Sequence, residues 1–179
     1  GFEYQTWGQL VDYCKYSAAP VGRFMLAVYD ENPSTYLPAA SLCVALQIVN
    51  HIQDLKYDAE LLGRIYLPSE MMEKYHITPE DLRADKSSLG LRKAIEKIME
   101  KTKGLIKEGE VLPQIIRHAS LRTEVCIILS LTNIMVKKIL KGDVLAKEIK
   151  LSAWNWLCGV TSGLIRSLFC KKKTLSEHK

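Results

Sequence analysis

The chain has 179 residues, 47% hydrophobic and 25% charged, the length and balance of one globular domain with a core of its own, which excludes a disordered tail. Its formal charge of +5 is uneven: residues 171–179 hold four lysines and one glutamate, so the rest is close to neutral and a nucleic-acid footprint is excluded. Five cysteines (Cys14, Cys43, Cys126, Cys158, Cys170) form no C-x-x-C pair, which argues against a disulfide framework or structural zinc and for a reducing, cytoplasmic setting.

Helical periodicity dominates and no period-2 pattern persists, so the expected fold is all-α, one domain over residues 1–179. Residues 4–30 read as helical with a break or kink near Pro20. Asn32 to Pro38 is a connector, and a long helix is predicted from about Ala39 to Leu62, closing at Gly63. A short helix follows from Ser69 to Tyr75, and Thr78-Pro79-Glu80-Asp81 has the composition of a helix start. Three further helices are predicted: Leu89 to Val111, Arg117 to Leu140 and Leu151 to Cys170, the last two separated by a Lys141-Gly142-Asp143 turn. The first residues lack the basic and apolar regions of a signal peptide. The uncharged run 32–53 carries two prolines, Gln47, Asn50, His51 and Gln53, so no bilayer span is expected.

The long predicted helix carries an unusual stripe. At about 100° per residue, Gln47, Asn50, Asp54 and Asp58 fall within an arc of roughly 80°, on a helix whose preceding turns, Ala39 to Leu46, are almost wholly apolar. Polar groups on a buried helix are costly unless something satisfies them. Asn50, Asp54 and Asp58 are successive i, i+4 neighbours offering three oxygen donors in a row, the ligand type that Mg²⁺ takes together with substrate phosphates. His51, at the edge of this face, reads as structural, and Lys56 as solvent-facing. Just beyond, Gly63-Arg64-Ile65-Tyr66-Leu67-Pro68 brings a guanidinium near the row, either to meet a diphosphate or to pair with Asp58.

Two blocks of this sequence resemble the squalene/phytoene synthase family. One is Tyr13-Cys14-Lys15-Tyr16-Ser17-Ala18-Ala19-Pro20-Val21-Gly22-Arg23. The other is Gln47-x-x-Asn50-x-x-x-Asp54-x-x-x-Asp58 with Gly63-Arg64-Ile65-Tyr66-Leu67-Pro68, similar to the family's second aspartate-rich motif. The variant Asn50-His51-Ile52-Gln53-Asp54 is most similar to the hopanoid-pathway branch that makes hydroxysqualene from presqualene diphosphate. Gln53 stands where the family usually has arginine.

The resemblance implies an isoprenoid-synthase-type helical bundle in which Asn50, Asp54 and Asp58 hold Mg²⁺ against a long-chain prenyl diphosphate. It implies that Gln47 lines the cavity, that Tyr13 and Gly22 shape the prenyl-chain channel, and that Arg64 and Tyr66 contact substrate. Farnesyl diphosphate condensation and phytoene synthesis are the neighbouring activities, and a non-catalytic assembly factor is the alternative. The family's first aspartate-rich motif should lie well upstream of Tyr13, so the expectation is a C-terminal portion of about two-thirds, inactive alone, whose partner is a separate N-terminal segment carrying that motif. The apolar helix ending in Lys171-Lys172-Lys173 adds an expected peripheral contact with the inner face of a membrane.

Overall fold

The computed structural model describes residues 4–170; the predicted basic tail Lys171–Lys173 lies outside them. Among the described residues there is no strand, as the periodicity predicts.

Helix α1 (Trp7–Val28) opens on Thr6, whose hydroxyl accepts from the Gln9 amide at 3.3 Å. The break expected at Pro20 does not occur: the assigned helix runs through it. Pro20 and Tyr16 are both exposed, so the Tyr16 carbonyl that loses its partner faces water and the loss is small.

Helix α2 (Tyr36–Gln53) starts three residues earlier than predicted. Pro38 sits in its first turn, where backbone N–H groups have no intrahelical partner and a proline removes nothing. Helix α2 packs against α1 and against two helices introduced below, α5 (Leu89–Gly109) and α7 (Ala119–Lys141). Ala39, Leu42, Val44, Ala45, Ile48, Val49 and Ile52 are all buried. With its preceding turn, Pro33–Gln53 is long and apolar enough to cross a membrane by length and composition; here that apolarity serves burial among three helices.

A one-turn helix α3 (Leu55–Tyr57) and a short helix α4 (Ser69–Lys74) follow. The Thr78–Asp81 signal does make reciprocal capping contacts, Thr78 N to Asp81 Oδ2 at 2.7 Å and Asp81 N to Thr78 Oγ1 at 3.4 Å. Only the 3₁₀ turn Asp81–Arg83 follows, because Leu82 is the sole large apolar residue before Leu89 and no stripe exists to bury. Helix α5 is capped by Ser88 and buries Leu91, Ala94, Ile95, Ile98, Met99 and Ile106 at helical spacing. It ends at Gly109, two residues short of prediction, and an unpredicted turn α6 (Leu112–Ile115) precedes α7.

The start of α7 is held by Glu31, whose buried carboxylate accepts from the Arg117 and His118 amides at 2.8–2.9 Å. Helix α8 (Ala153–Phe169) begins with a Ser152/Asn155 capping box and lies along α7. A Cβ on Gly163 would sit 2.5 Å from the Ile127 Cα, and one on Gly159 would sit 2.2 Å from a Leu131 methyl. The predicted three-residue turn between these helices is the longer connector 142–152. Asp143 anchors it, accepting from the Ser87 amide, the Ser87 hydroxyl, the Leu145 amide and Arg92. Burial alone would raise the Asp143 carboxyl, but the hydrogen bonds from Ser87, Leu145 and Ala146 outweigh it and lower its pKa to about 2.

Candidate diphosphate-binding site

The predicted helix from Ala39 to Leu62 is three pieces. Helix α2 stops at Gln53, and Asp54 adopts φ −94°, ψ 11°. Helix α3 adds one turn, and Asp58–Leu62 forms a π-helical turn that closes on Gly63 at φ 61°. Gly63 is glycine for that reason, since side chains disfavour the left-handed region. The widened turn brings the Arg64 amide back to the Asp58 carbonyl at 3.0 Å. Two i, i+4 bonds persist through the break, Asp54 N to Asn50 O and Asp58 N to Asp54 O, both 2.9 Å. Asn50, Asp54 and Asp58 therefore remain neighbours along one side, although no regular helix joins them.

Beside the row stands an aromatic wall. Tyr13 of α1 and Tyr66 have ring centroids 6.2 Å apart, and Tyr4 lies 5.3 Å from Tyr13 and 6.1 Å from Tyr66. His51 stacks on Tyr66 at 3.5 Å. The Gln47 amide nitrogen lies 3.1 Å from His51 Nε2, so Gln47 is engaged in orienting the imidazole. His51 is buried, not at the edge of the helix face, and burial pulls its pKa down to about 4. It is neutral at pH 7. Lys56 does not point to open solvent either; it pairs with Asp85 at 3.2 Å.

The acids are held in an unfavourable state. Burial pushes the Asp54 carboxyl up, Glu148 from the α7–α8 connector adds to this, and the Asn50 amide opposes it. Burial also raises Asp58, Asp54 raises it further, and Arg64 opposes. The Arg64 guanidinium faces the Tyr66 hydroxyl, with Tyr13 and Asp58 nearby, and is held above its ordinary range. Two carboxylates that repel each other, with an amide oxygen alongside, fit a hard divalent cation. Among the described residues no three His, Cys, Asp or Glu side chains group to hold a metal; in this row the third donor is the amide of Asn50.

Tyr13, Gln47, Asn50, Asp54, Asp58, Arg64 and Tyr66 thus converge. Gly22 does not join them. It lies nine residues beyond Tyr13 on α1, about 13 Å along the axis, and borders a cavity of about 330 Å³ with Met25, Cys43, Leu46, Leu121 and Val125. A Cβ on Gly22 would meet the Cys43 sulfur at 2.6 Å, so glycine permits the close approach of α1 and α2 at the cavity. Three residues of the site escape sequence reasoning. Tyr4 precedes the first helix, Glu148 is 94 positions from Asp54, and neither carries a local signal; His51 was visible in the motif but not its stacking on Tyr66.

The family model for squalene/phytoene synthase matches residues 1–155. The chain belongs to the squalene/phytoene synthase family. Among curated relatives, hydroxysqualene synthase of Zymomonas mobilis is 40% identical over 82% of this chain and 49% of its own length. Hydroxysqualene synthase of Rhodopseudomonas palustris is 33% identical over 94% of this chain and 59% of its own. Phytoene synthase of Thermus thermophilus is 31% identical over 58% of this chain and 36% of its own. This squalene/phytoene synthase family chain spans about half to three-fifths of the hydroxysqualene synthases it matches.

Among solved structures, squalene synthase HpnC from Alicyclobacillus acidocaldarius superposes with a TM-score of 0.72 at 31% identity, covering 79% of this chain and 53% of that one. A dehydrosqualene synthase solved with a ligand superposes with a TM-score of 0.76 at 23% identity, over 91% of this chain and 58% of that one, and shows the fold alone. The fold is the all-α isoprenoid-synthase bundle that the sequence resemblance implies.

Proposed function

We propose that Asn50, Asp54 and Asp58, with Arg64 and the tyrosine wall, form a diphosphate-binding face of a prenyl-diphosphate-processing enzyme, and that the favoured reaction is presqualene diphosphate to hydroxysqualene. The observation that carries this reading is the convergence of the acidic row, Arg64, Tyr13 and Tyr66 at the break after α2; the hydroxysqualene synthase relatives support the choice of substrate. In the reaction the C–O bond to the diphosphate breaks with its electron pair on the leaving group, water adds to the carbocation, and the adduct loses a proton. Bound Mg²⁺ would supply neutralisation of the departing diphosphate, held by Asn50, Asp54 and Asp58.

The residues have separate tasks. Arg64, exposed and charged, offers a forked donor to phosphate oxygens. The faces of Tyr13 and Tyr66 carry partial negative charge toward the cation left behind. Neutral His51 suits that wall, since an imidazolium stacked on Tyr66 would oppose a carbocation in front of it. The apolar cavity at Gly22 accepts hydrocarbon chain. Farnesyl diphosphate condensation and phytoene synthesis share the same ionisation and the same residues.

The test is thermal unfolding of residues 1–179 with Mg²⁺ and inorganic diphosphate together. Ligand at a hundredfold over its Kd should raise the midpoint by about 5–10 °C. Asp54→Asn, which keeps shape and removes charge, should abolish that rise. An unchanged rise in Asp54→Asn would remove the metal assignment; no rise in the parent chain would favour the non-catalytic assembly role.

A further inference from the structure

The segment that carries Arg64 has no hydrogen-bonded ladder of its own. Gly63 leaves the π-turn at φ 61°, and regular structure resumes only at Ser69. The Arg64 amide reaches the Asp58 carbonyl at 3.0 Å, and the Arg64 side chain is exposed. An arginine in that setting loses side-chain freedom when it takes hold of a phosphate, which costs affinity unless something holds the guanidinium beforehand.

His51 is placed to provide that hold. It belongs to α2, the helix packed against α1, α5 and α7, and only 5% of it is exposed. One turn back, the Gln47 amide donates to His51 Nε2 at 3.1 Å, which puts the ring hydrogen on Nδ1 and fixes the rotation of the ring. The imidazole then lies flat on Tyr66, with centroids 3.5 Å apart and planes 12° from parallel, and stands 6.1 Å from Tyr13. Tyr4 and Tyr13 are farther from Tyr66, at 6.1 and 6.2 Å. Tyr66 in turn presents its hydroxyl to the Arg64 guanidinium. Contacts thus run from Gln47 to His51, Tyr66 and Arg64, out of a packed helix and into an irregular strip.

We propose that His51 is a positioning residue: held by Gln47, it fixes the ring of Tyr66 and through it the guanidinium of Arg64, so that the cation stands ready before diphosphate arrives. This rests on the reading of the acidic row and Arg64 as a diphosphate site. Packing alone does not call for the arrangement. An apolar side chain would fill position 51 with nothing to satisfy, whereas histidine brings two ring nitrogens into the core and engages a glutamine to meet one of them. What histidine adds is a flat ring that a hydrogen bond holds in one rotation, carried on a helix and not on a loop, where positioning is most exact.

Calorimetric titration of residues 1–179 with inorganic diphosphate at saturating Mg²⁺ tests it. His51→Gln keeps a polar partner for Gln47 and removes the ring; it should weaken diphosphate binding about tenfold, the scale on which residues that orient a ligating group act. His51→Phe keeps a ring on Tyr66 and should stay within about threefold of the parent chain. In a Tyr66→Leu background, His51→Gln should change binding by less than about twofold, since a residue that acts through Tyr66 has nothing left to act on. Should His51→Gln not fold, His51→Met, which fills the same space without a ring, takes its place in the cycle with the same expected losses. Unchanged binding without the ring, equal losses in the two backgrounds, or a tenfold loss in His51→Phe overturns the proposal and leaves the diphosphate reading standing. No Mg²⁺-dependent diphosphate binding by the parent chain overturns that reading, and the proposal with it.

Discussion

His51 shows how much a single buried side chain decides. Its imidazole is enclosed by Gln47 and Tyr66, and its pKa falls from 6.5 to about 4. Below pH 6.5 the unfolded chain takes up a proton that the folded chain refuses, so stability is lost as pH falls from 6.5 to about 4. The loss over that window is about 2–3 kcal/mol. His51→Gln, which keeps a polar partner for Gln47, should flatten this part of the pH dependence, even if its stability at pH 7 is lower; urea unfolding of both chains across the window measures the difference. The raised acids behave oppositely. Asp54 and Asp58 carry burial and mutual repulsion in their ionised form, so protonating them relieves the folded state until a cation competes for the same oxygens.

At the scale of elements, the sequence was most legible where one stripe of apolar residues met one partner. Helix α5, with its Ser88 cap and regular buried positions, begins at the predicted residue. Legibility failed where backbone departs from the α-helical ladder. Asn50, Asp54 and Asp58 fit an unbroken helix by spacing, and nothing in their residue types distinguishes that helix from the bent backbone at Asp54 with a π-turn behind it. Pro20 and Pro38 misled in the other direction, since exposure and position in the turn, not residue type, set what a proline costs. The site was readable as a row, an arginine and, through the resemblance, Tyr13 and Tyr66; that these two form one wall with Tyr4 was not, because the three rings meet only through packing.

The α7–α8 contact invites a direct test. Gly163→Ala places a methyl against the Ile127 backbone at 2.5–2.7 Å and should cost about 1–3 kcal/mol. Gly104→Ala, on α5 with nothing within 4 Å of the added carbon, should instead gain about 0.5–1 kcal/mol. Urea unfolding of the two variants should move in opposite directions.

For the molecule as a whole, the isoprenoid-synthase bundle explains why a short motif was informative: the residues it names come together where α1 and α2 meet the connector before α8. That connector brings Glu148 toward Asp54 and bears Lys147 and Lys150; Asp143 is its polar anchor, and Val144, Leu145 and Ile149 are buried in the core. A pin of this kind also governs cleavability. Trypsin cuts after lysine, and Lys147 and Lys150 are exposed, yet a protease needs several residues of extended chain, which Asp143 denies by fastening Ser87, Arg92 and Leu145 together, with buried Val144, Leu145 and Ile149 holding the same segment to the core. Asp143→Ala removes hydrogen bonds to a charged acceptor worth about 2 kcal/mol in local opening. Limited trypsinolysis after Lys147 or Lys150 should then run about 30-fold faster, with a fragment beginning in this connector and carrying α8 as its product. The same nick should appear in the parent chain as pH falls below 3.8 toward about 2, where Asp143 takes up its proton, if an acid-active protease of the same specificity is used.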